Sequence, residues 1–521
     1  MSQNEHENGA LPEATLDPQD PQAWEGMQRL GERMVGDMLS FLRGVRERPV
    51  FEPIPEEVRE SFRRPLPLEP TPAEEVYEEF RNTILPYPHG NIHPRFWGWV
   101  VGTGTPLGML ADMLAAGMNS NSGFGDHCVM QVERQVLEWL REAIGFGGDG
   151  GVLTSGCTMA NLAGLTLARN SRCGFDIRAK GLAAADKPMT VYGSSETHSS
   201  SYRALEILGL GRDSLRKIRI DAEHRVDVEE MRRQVQADRA AGMHPIAVLG
   251  SAGTVNTGAF DDLEALATLC EDEGLWLHVD GAFGALVGLA PALRHNLAGI
   301  ERADSVAFDL HKWLHVPYDA AALLVRDRAH QEASFTMDGA YLSHLESRLA
   351  TGPDNFMQQG LQMSRGFRAL KTWMTIKEHG ASKLGTMIQQ NVDQAAYLAR
   401  LVDAHPELER HGPADLNIVC FRYVPGHANE DLDALNRRIL IDLHETGLAA
   451  PSHTVLDGDF VIRVAITNHR SRRADFFMLV DGVLERGRRL AGLTKDPDPT
   501  AGAGMPPRRS SAATAHPGSS A

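Results

Sequence analysis

The chain reads as an α/β protein whose main body is a mostly parallel sheet wrapped by helices. Three observations carry this. Between roughly Thr105 and Ala350, short β-rich runs alternate with segments of helical period, as a parallel sheet covered by helices requires. The residues best suited to chemistry follow the ends of those runs, where open α/β sheets hold their ligands. And 521 residues, 42% of them hydrophobic, supply a large core but exceed one compact unit, so two or three subdomains are expected.

In chain order, residues 1–21 are polar and proline-bearing with little to bury, and are expected to be disordered. Residues 22–104 are expected to form a helical arm. Within it Met27, Leu30, Met34, Met38 and Phe41 recur at three- and four-residue steps, the period of an amphipathic helix whose apolar stripe needs a partner. Residues 105–375 are expected to form the large domain. Its candidate strands are Gly151 to Thr154, Met189 to Tyr192, Ile246 to Gly250, Leu275 to Val279, Ser305 to Phe308 and Ala321 to Arg326, with helices over Gln131 to Ile144, Met159 to Arg169 and Arg368 to His379. The polar stretch Ser343 to Met357 reads as a mobile loop. Residues 376–493 read as a smaller α+β domain with strands near Asn417 to Tyr423 and Phe460 to Ile466, and 494–521, rich in Pro, Gly, Ser and Ala, as a disordered tail.

Charge narrows the function. With 52 Lys+Arg against 69 Asp+Glu the formal net charge is −17, which disfavours nucleic acid and anionic membrane surfaces as partners. The five cysteines are scattered without a C-x-x-C pair, so neither a disulfide frame nor a cysteine zinc site is expected, and a reducing cytoplasm fits. No stretch approaches the about 18 consecutive apolar residues of a membrane span, and the polar start lacks a signal peptide's apolar segment.

The chemistry is carried by four places read together. Thr154-Ser155-Gly156-Cys157-Thr158 lies between a strand and a helix, a turn of small side chains whose backbone N–H groups suit a phosphate; it is equally an ordinary strand-to-helix turn with a side-chain cap. His198 follows the Met189 strand and could stack on a ring and move protons, or simply be solvated. Asp280 ends the apolar run Leu275 to Val279, where an ionised carboxylate costs several kcal/mol unless it meets a cation. A protonated pyridine nitrogen would be such a cation; a cap or structural ion pair is the other reading. Ala282, two residues on, is small enough for a flat ring to lie against it. Lys312, between His311 and Trp313, could condense with an aldehyde cofactor if its pKa is depressed, or merely cover the tryptophan with its stem. Thr254 and Thr257 could bond the ring hydroxyl or substrate, or belong to a turn. A phosphate seat, a stacking histidine, a carboxylate and an amine in this order point to pyridoxal 5′-phosphate.

Several runs resemble the group II pyridoxal-phosphate decarboxylases, which include the aromatic amino acid and glutamate decarboxylases. They are Ala303 to Leu314 with Pro317-Tyr318-Asp319 after it, His93-Pro94-Arg95-Phe96, Thr154 to Leu162, Leu277-His278-Val279-Asp280 and Ser364 to Trp373. The resemblance covers about Asn91 to Arg470. It implies a fold-type I enzyme with a mostly parallel sheet of the seven-stranded type, active as a homodimer with its site at the subunit interface, acting on a small amino acid substrate. It also implies catalytic roles for Lys312, His198 and Asp280, and cofactor contacts from these and from Cys157, Thr158, Thr254, Ala282 and His311. No metal is expected.

Two departures bear on the product. Asp309-Leu310 stands where the family commonly has Asn-Pro or Asp-Pro, and a carboxylate beside a phosphate is unfavourable, so Asp309 is left out of the expected contacts. In the aromatic amino acid decarboxylases a loop tyrosine returns the proton after CO2 leaves; here no tyrosine occurs between Tyr341 and Tyr397, and Phe356 falls near that position. The expected reaction is decarboxylation of an aromatic L-amino acid to an amine. Aldehyde synthesis with oxygen, aminotransferase-type chemistry and a non-catalytic homologue are the alternatives. Phe96, Trp97 and Trp99 are candidates for an aromatic pocket, with core packing as the alternative.

Overall fold

A computed structural model describes residues 15–337, 355–426 and 431–492. Residues 1–14 of the expected disordered start, the tail 494–521 and most of the Ser343 to Met357 loop lie outside the described residues.

Among the described residues twelve strands are formed: β1 (Phe96–Trp97), β2 (Gly150–Thr154), β3 (Met189–Ser194), β4 (Leu215–Ile218), β5 (His244–Ser251), β6 (Trp276–Asp280), β7 (Ser305–Asp309), β8 (Ala321–Val325), β9 (Leu408–His411), β10 (Ile418–Tyr423), β11 (Ala450–Leu456) and β12 (Asp459–Ala465). Seven build the large sheet in the order β2-β8-β7-β6-β5-β3-β4. From β7 to β4 every neighbour is parallel, while β8 runs antiparallel to both β2 and β7. The expected fold-type I, mostly parallel sheet is present. Residues of β2, β3, β7 and β8 are buried throughout, because helices cover both faces and leave no strand side for water.

The helices that matter for the site are Cys128–Ile144 and Cys157–Arg172, which follow the expected periods within a few residues, and Arg368–Asp403, whose first part ends where expected and is followed by a second part running on to Asp403. That last helix breaks at Gly380, whose φ of 69° lies where a side chain is disfavoured. Ala369 before the break and Leu384 and Ile388 after it join the large core, and further along the second part Ala395, Leu398 and Val402 join a second core under the small sheet β1-β11-β12-β10-β9. One helix thus holds the two cores together.

The amphipathic helix of the arm spans Pro21–Arg43, with Asp20 accepting from Ala23 N and proline at its start. Only Leu30 and Phe41 of it are buried, and Trp24, Met27, Met34 and Leu39 stay exposed. Its stripe therefore finds little cover on its own chain.

Trp97 corrects one expectation. It is fully buried in the small core, stacked 5.1 Å from the Phe476 ring and donating to Ser471 Oγ at 3.1 Å, so it packs a core instead of lining a pocket. Replacing it with alanine leaves a cavity that neither sheet nor helix can close. Trp97→Ala is expected to cost about 3 to 5 kcal/mol of stability, read as a lowered urea midpoint.

Candidate active site

Strand direction decides where the chemistry gathers. The parallel strands β3, β5, β6 and β7 end at Ser194, Ser251, Asp280 and Asp309, and β2 ends beside them because antiparallel β8 lies between it and β7. Thr154 and Asp309 both pair across from Ala321, so the turn after β2 and the one-turn helix Leu310–Trp313 after β7 meet at one edge. Cys157, His198, Asp280 and Lys312 all come from this edge.

Lys312 keeps only 20% of its side chain exposed, and its Nζ lies 2.7 Å from Asp309 Oδ2. Burial pulls its pKa down, but Asp309, with Cys157 and Asp280, outweighs it and holds the ammonium above the ordinary lysine value. The expected depression is thus absent in these surroundings. Asp309, which the sequence argument had set aside, is part of the site: its Oδ1 accepts from Cys157 N at 2.6 Å, and its side chain is 4% exposed.

Asp280 is supported by a chain of donors whose directions can be assigned. Trp276 Nε1 donates to Ser305 Oγ at 2.9 Å, and Ser305 Oγ lies 2.7 Å from His278 Nδ1. His278 Nε2 lies 3.0 Å from Asn161 Oδ1, and Asn161 Nδ2 donates to Asp280 Oδ2 at 2.8 Å. Burial pushes the His278 pKa down to about 4, so the ring is neutral and carries one proton. Because Asn161 Oδ1 can only accept, that proton is on Nε2, and Ser305 donates to Nδ1. Ala282 N, at 3.0 Å, and the Cys157 thiol, at 3.5 Å, donate to Asp280 Oδ1.

A branch of the same chain reaches His198. Asn161 Nδ2 also donates to Ser200 Oγ at 3.1 Å, and Ser200 Oγ lies 2.8 Å from His198 Nδ1, which accepts Ser200 N at 3.2 Å as well. Nδ1 is therefore an acceptor, and the imidazole proton is on Nε2. The residue is exposed overall, yet reduced contact with water pushes its pKa down; Lys312 adds to this and Asp280 and Asp309 oppose it. Gly164 makes the chain possible, since a Cβ there would collide with the His278 ring.

The remaining expected residues fall less centrally. Ala282 is partly buried and ties the strand ends together, giving its N–H to Asp280 and its carbonyl to Asp309 N at 2.8 Å. Thr158 is exposed beside Cys157. His311 is buried, accepts from Ala320 N at 3.2 Å and lies against the Tyr318 ring at 4.2 Å. Thr254 lies in a turn, its hydroxyl 3.1 Å from that of Thr257 and accepting from Ala259 N at 3.1 Å. Phe356 is buried with the Arg365 guanidinium 5.1 Å above its ring.

Sequence reasoning missed Asn161, His278 and Ser305 as site residues. Asn161 could have been found, because four residues after Cys157 it shares that residue's helix face. His278 and Ser305 are far apart in sequence and carried no signal of pairing.

A half-buried amine and a multiply supported carboxylate at one sheet edge, beside a turn of small residues, define a fold-type I pyridoxal-phosphate enzyme. Such residues would fit the parts of that cofactor, an amine for the aldehyde, a carboxylate for the ring nitrogen and backbone N–H groups for the phosphate. Residues 55–424 match the pyridoxal-dependent decarboxylase conserved domain. An aromatic-L-amino-acid decarboxylase of Bacillus atrophaeus is 32% identical over 467 residues, covering 88% of this chain and 94% of its own. A phenylacetaldehyde synthase of Petunia hybrida is 27% identical over 466 residues, covering 85% of this chain and 90% of its own. A crystal structure of Oryza sativa TDC with PLP and tryptamine matches at TM-score 0.82 and 25% identity, over 91% of this chain and 100% of that one. The chain belongs to the pyridoxal-dependent decarboxylase family. It is a pyridoxal-phosphate-dependent carboxy-lyase acting on an amino acid. No helix among the described residues is long and apolar enough to cross a membrane.

The neutral His278 gives a stability signature. An unfolded histidine binds its proton near pH 6.5, whereas the folded one does so near 4. Between those values the unfolded chain binds more protons, so its contribution is complete above about 6.5 and lost as pH falls towards 4. The wild type is expected to lose about 3 kcal/mol more across this window than His278→Asn, measured as urea midpoints at stepped pH.

Proposed function

We propose that the enzyme decarboxylates an aromatic L-amino acid to the corresponding amine, working as a homodimer. The observation that carries the site assignment is the donor chain from Trp276, which ends on both Asp280 and His198 beside Lys312. On this reading Lys312 carries the cofactor's aldehyde carbon and Asp280 faces the ring nitrogen. The Ser155 to Thr158 turn receives the phosphate and His198 lies over the ring. The cofactor supplies an electron sink for the pair left when the bond from Cα to the carboxylate breaks.

The chain's own residues do the rest. Asn161 holds Asp280 with one amide hydrogen and orients Ser200 with the other, so the two groups are fixed relative to each other. His198 leaves Nε2 as its free ring nitrogen, and as an imidazolium it would be the donor that returns a proton to Cα, a reading supported by the absence of a tyrosine between Tyr341 and Tyr397. Aromatic substrates are favoured by the relatives' activities and by the exposed Trp99, which stacks 5.6 Å from His89 and lies 6.2 Å from Phe96. We read 105–375 as the body of the cofactor-binding domain, which Leu384 and Ile388 also join, and 376–493 as most of the smaller one, to which β1 adds Trp97, with the arm before β1 reaching a second copy.

Dimerisation is supported by apolar side chains left open on one chain. Met113, Leu114 and Met118 on the helix Pro106–Met118 are about half exposed, as are Trp24 and Met27 of the arm. Five unpaired cysteines support a reducing cytoplasm.

Two outcomes are expected. Purified wild type should absorb in the visible as a lysine-bound pyridoxal enzyme, and Lys312→Ala should lose that band with a fall in CO2 release of roughly a thousandfold or more. Incubated in air with tryptophan, tyrosine or phenylalanine, the enzyme should yield one amine per CO2 without hydrogen peroxide. Stoichiometric peroxide with aldehyde would overturn the amine reading in favour of chemistry like that of the named phenylacetaldehyde synthase.

A further inference from the structure

We propose that Asp309 determines the protonation state in which the cofactor's phosphate is accepted, favouring the singly charged ester over the doubly charged one. The inference rests on the reading of the Ser155 to Thr158 turn as the phosphate seat.

The helix Cys157–Arg172 begins without a side-chain cap, and its first N–H is directed at Asp309 Oδ1 at 2.6 Å. An anion approaching this helix start therefore meets a carboxylate already in contact with the donor it needs. Asp309 has little room to withdraw. Its side chain is 4% exposed, its Oδ2 is held by Lys312, His311 Nε2 lies 3.6 Å from its Oδ1, and its own N–H is given to Ala282 O.

Two oxygen anions hydrogen-bond only if one of them carries a proton. A phosphate monoester keeps one until about pH 6, so below that value P–OH can donate to the Asp309 carboxylate. Above it, acceptor faces acceptor. The phosphate's contribution to affinity should fall as pH rises through about 6. An asparagine at 309 would offer an N–H to the doubly charged ester and remove the decline. Lys312, His311, Cys157, Asp280, Tyr318 and His198 also face or influence this space, and their titration must be separated from that of the phosphate.

The test is calorimetric titration of the full chain, freed of cofactor by dialysis, with pyridoxine 5′-phosphate. This ligand lacks the aldehyde, so attachment to Lys312 does not enter. Pyridoxine, run in parallel, reports every titrating group except the phosphate, and the ratio of the two affinities isolates the phosphate contribution. In wild type that ratio is expected to fall about tenfold or more between pH 5.5 and pH 8, the equivalent of one pK unit of coupling. In Asp309→Asn it should stay level, with pyridoxine 5′-phosphate bound about tenfold tighter than by wild type at pH 8.

A wild-type ratio that is constant or rises with pH overturns the proposal without any variant. So does an equal decline in Asp309→Asn, or weaker binding by that variant when its melting curve shows it folded. If the phosphate gives no advantage over pyridoxine in either protein at any pH, the seat itself is misassigned and the proposal falls with it. An advantage that is present but indifferent to residue 309 sinks this inference alone.

Discussion

A negative charge at the inner end of β6 is the constraint around which the site is organised. Asp280 ends a strand that is buried up to its last residue, where an unsupported carboxylate would cost several kcal/mol. Donors from three directions meet that cost: a backbone N–H, a thiol and the Asn161 amide. The amide is itself held by His278, His278 by Ser305, and Ser305 by Trp276, all inside the sheet-to-helix core. Polar residues buried in such a chain are justified only when every member is satisfied, and here each has a partner. The branch to Ser200 means that the support of the carboxylate and the tautomer of His198 are not independent.

The small sheet is joined to this edge by a second buried charge. Arg463 on β12 is 3% exposed, and burial pushes its pKa down to about 10. It donates to the carbonyls of Trp99, Asn256 and Val255 and to Ser452 Oγ. These carbonyls belong to the segment after β1 and to the turn after β5, so a single guanidinium fixes both relative to the small core. Asn256 extends the tie, accepting from Thr454 Oγ1 at 2.8 Å and donating at 2.9 Å to Glu196, which is two residues before His198. Trp99, with φ of 54°, is held in a left-handed conformation that few aromatic residues adopt. Its carbonyl bond to Arg463 supplies part of the over-determination such a residue needs.

How much of this was legible in the sequence follows from the range of the interactions involved. The six expected strands of the large sheet formed because their apolar runs are local signals. β4 escaped notice because Arg216 and Lys217 interrupt it at the sheet edge, and β11 because His453 to Val455 carry its more open side. Lys312 and Asp280 were legible as strand-end residues of the right chemistry. Asn161 was legible only as a neighbour of Cys157 on one helix face, and its bonds to His278 and Asp280, like those of Arg463, were not, since those partners lie far away in sequence. For Thr254 the sequence leaves turn and ligand open, since the same hydroxyl serves either, and the structure adds its turn partners Thr257 and Ala259. Trp97 was misplaced for a similar reason: an aromatic cluster looks alike whether it faces a pocket or Phe476.

Asp309 was excluded on the argument that a carboxylate repels phosphate, and that argument is sound as electrostatics. What it could not foresee is the lysine three residues on turning back to pair with it. The two carboxylates of the edge thereby divide their work. Asp309 spends one oxygen on a full positive charge, so it has little left to offer a second cation. Asp280 is held by neutral donors only, and a carboxylate offers about four acceptor positions, so it stays able to pair with a positive charge that arrives from outside. Of the two, Asp280 is the one left able to take a cationic partner, the role we propose for it towards a protonated ring nitrogen.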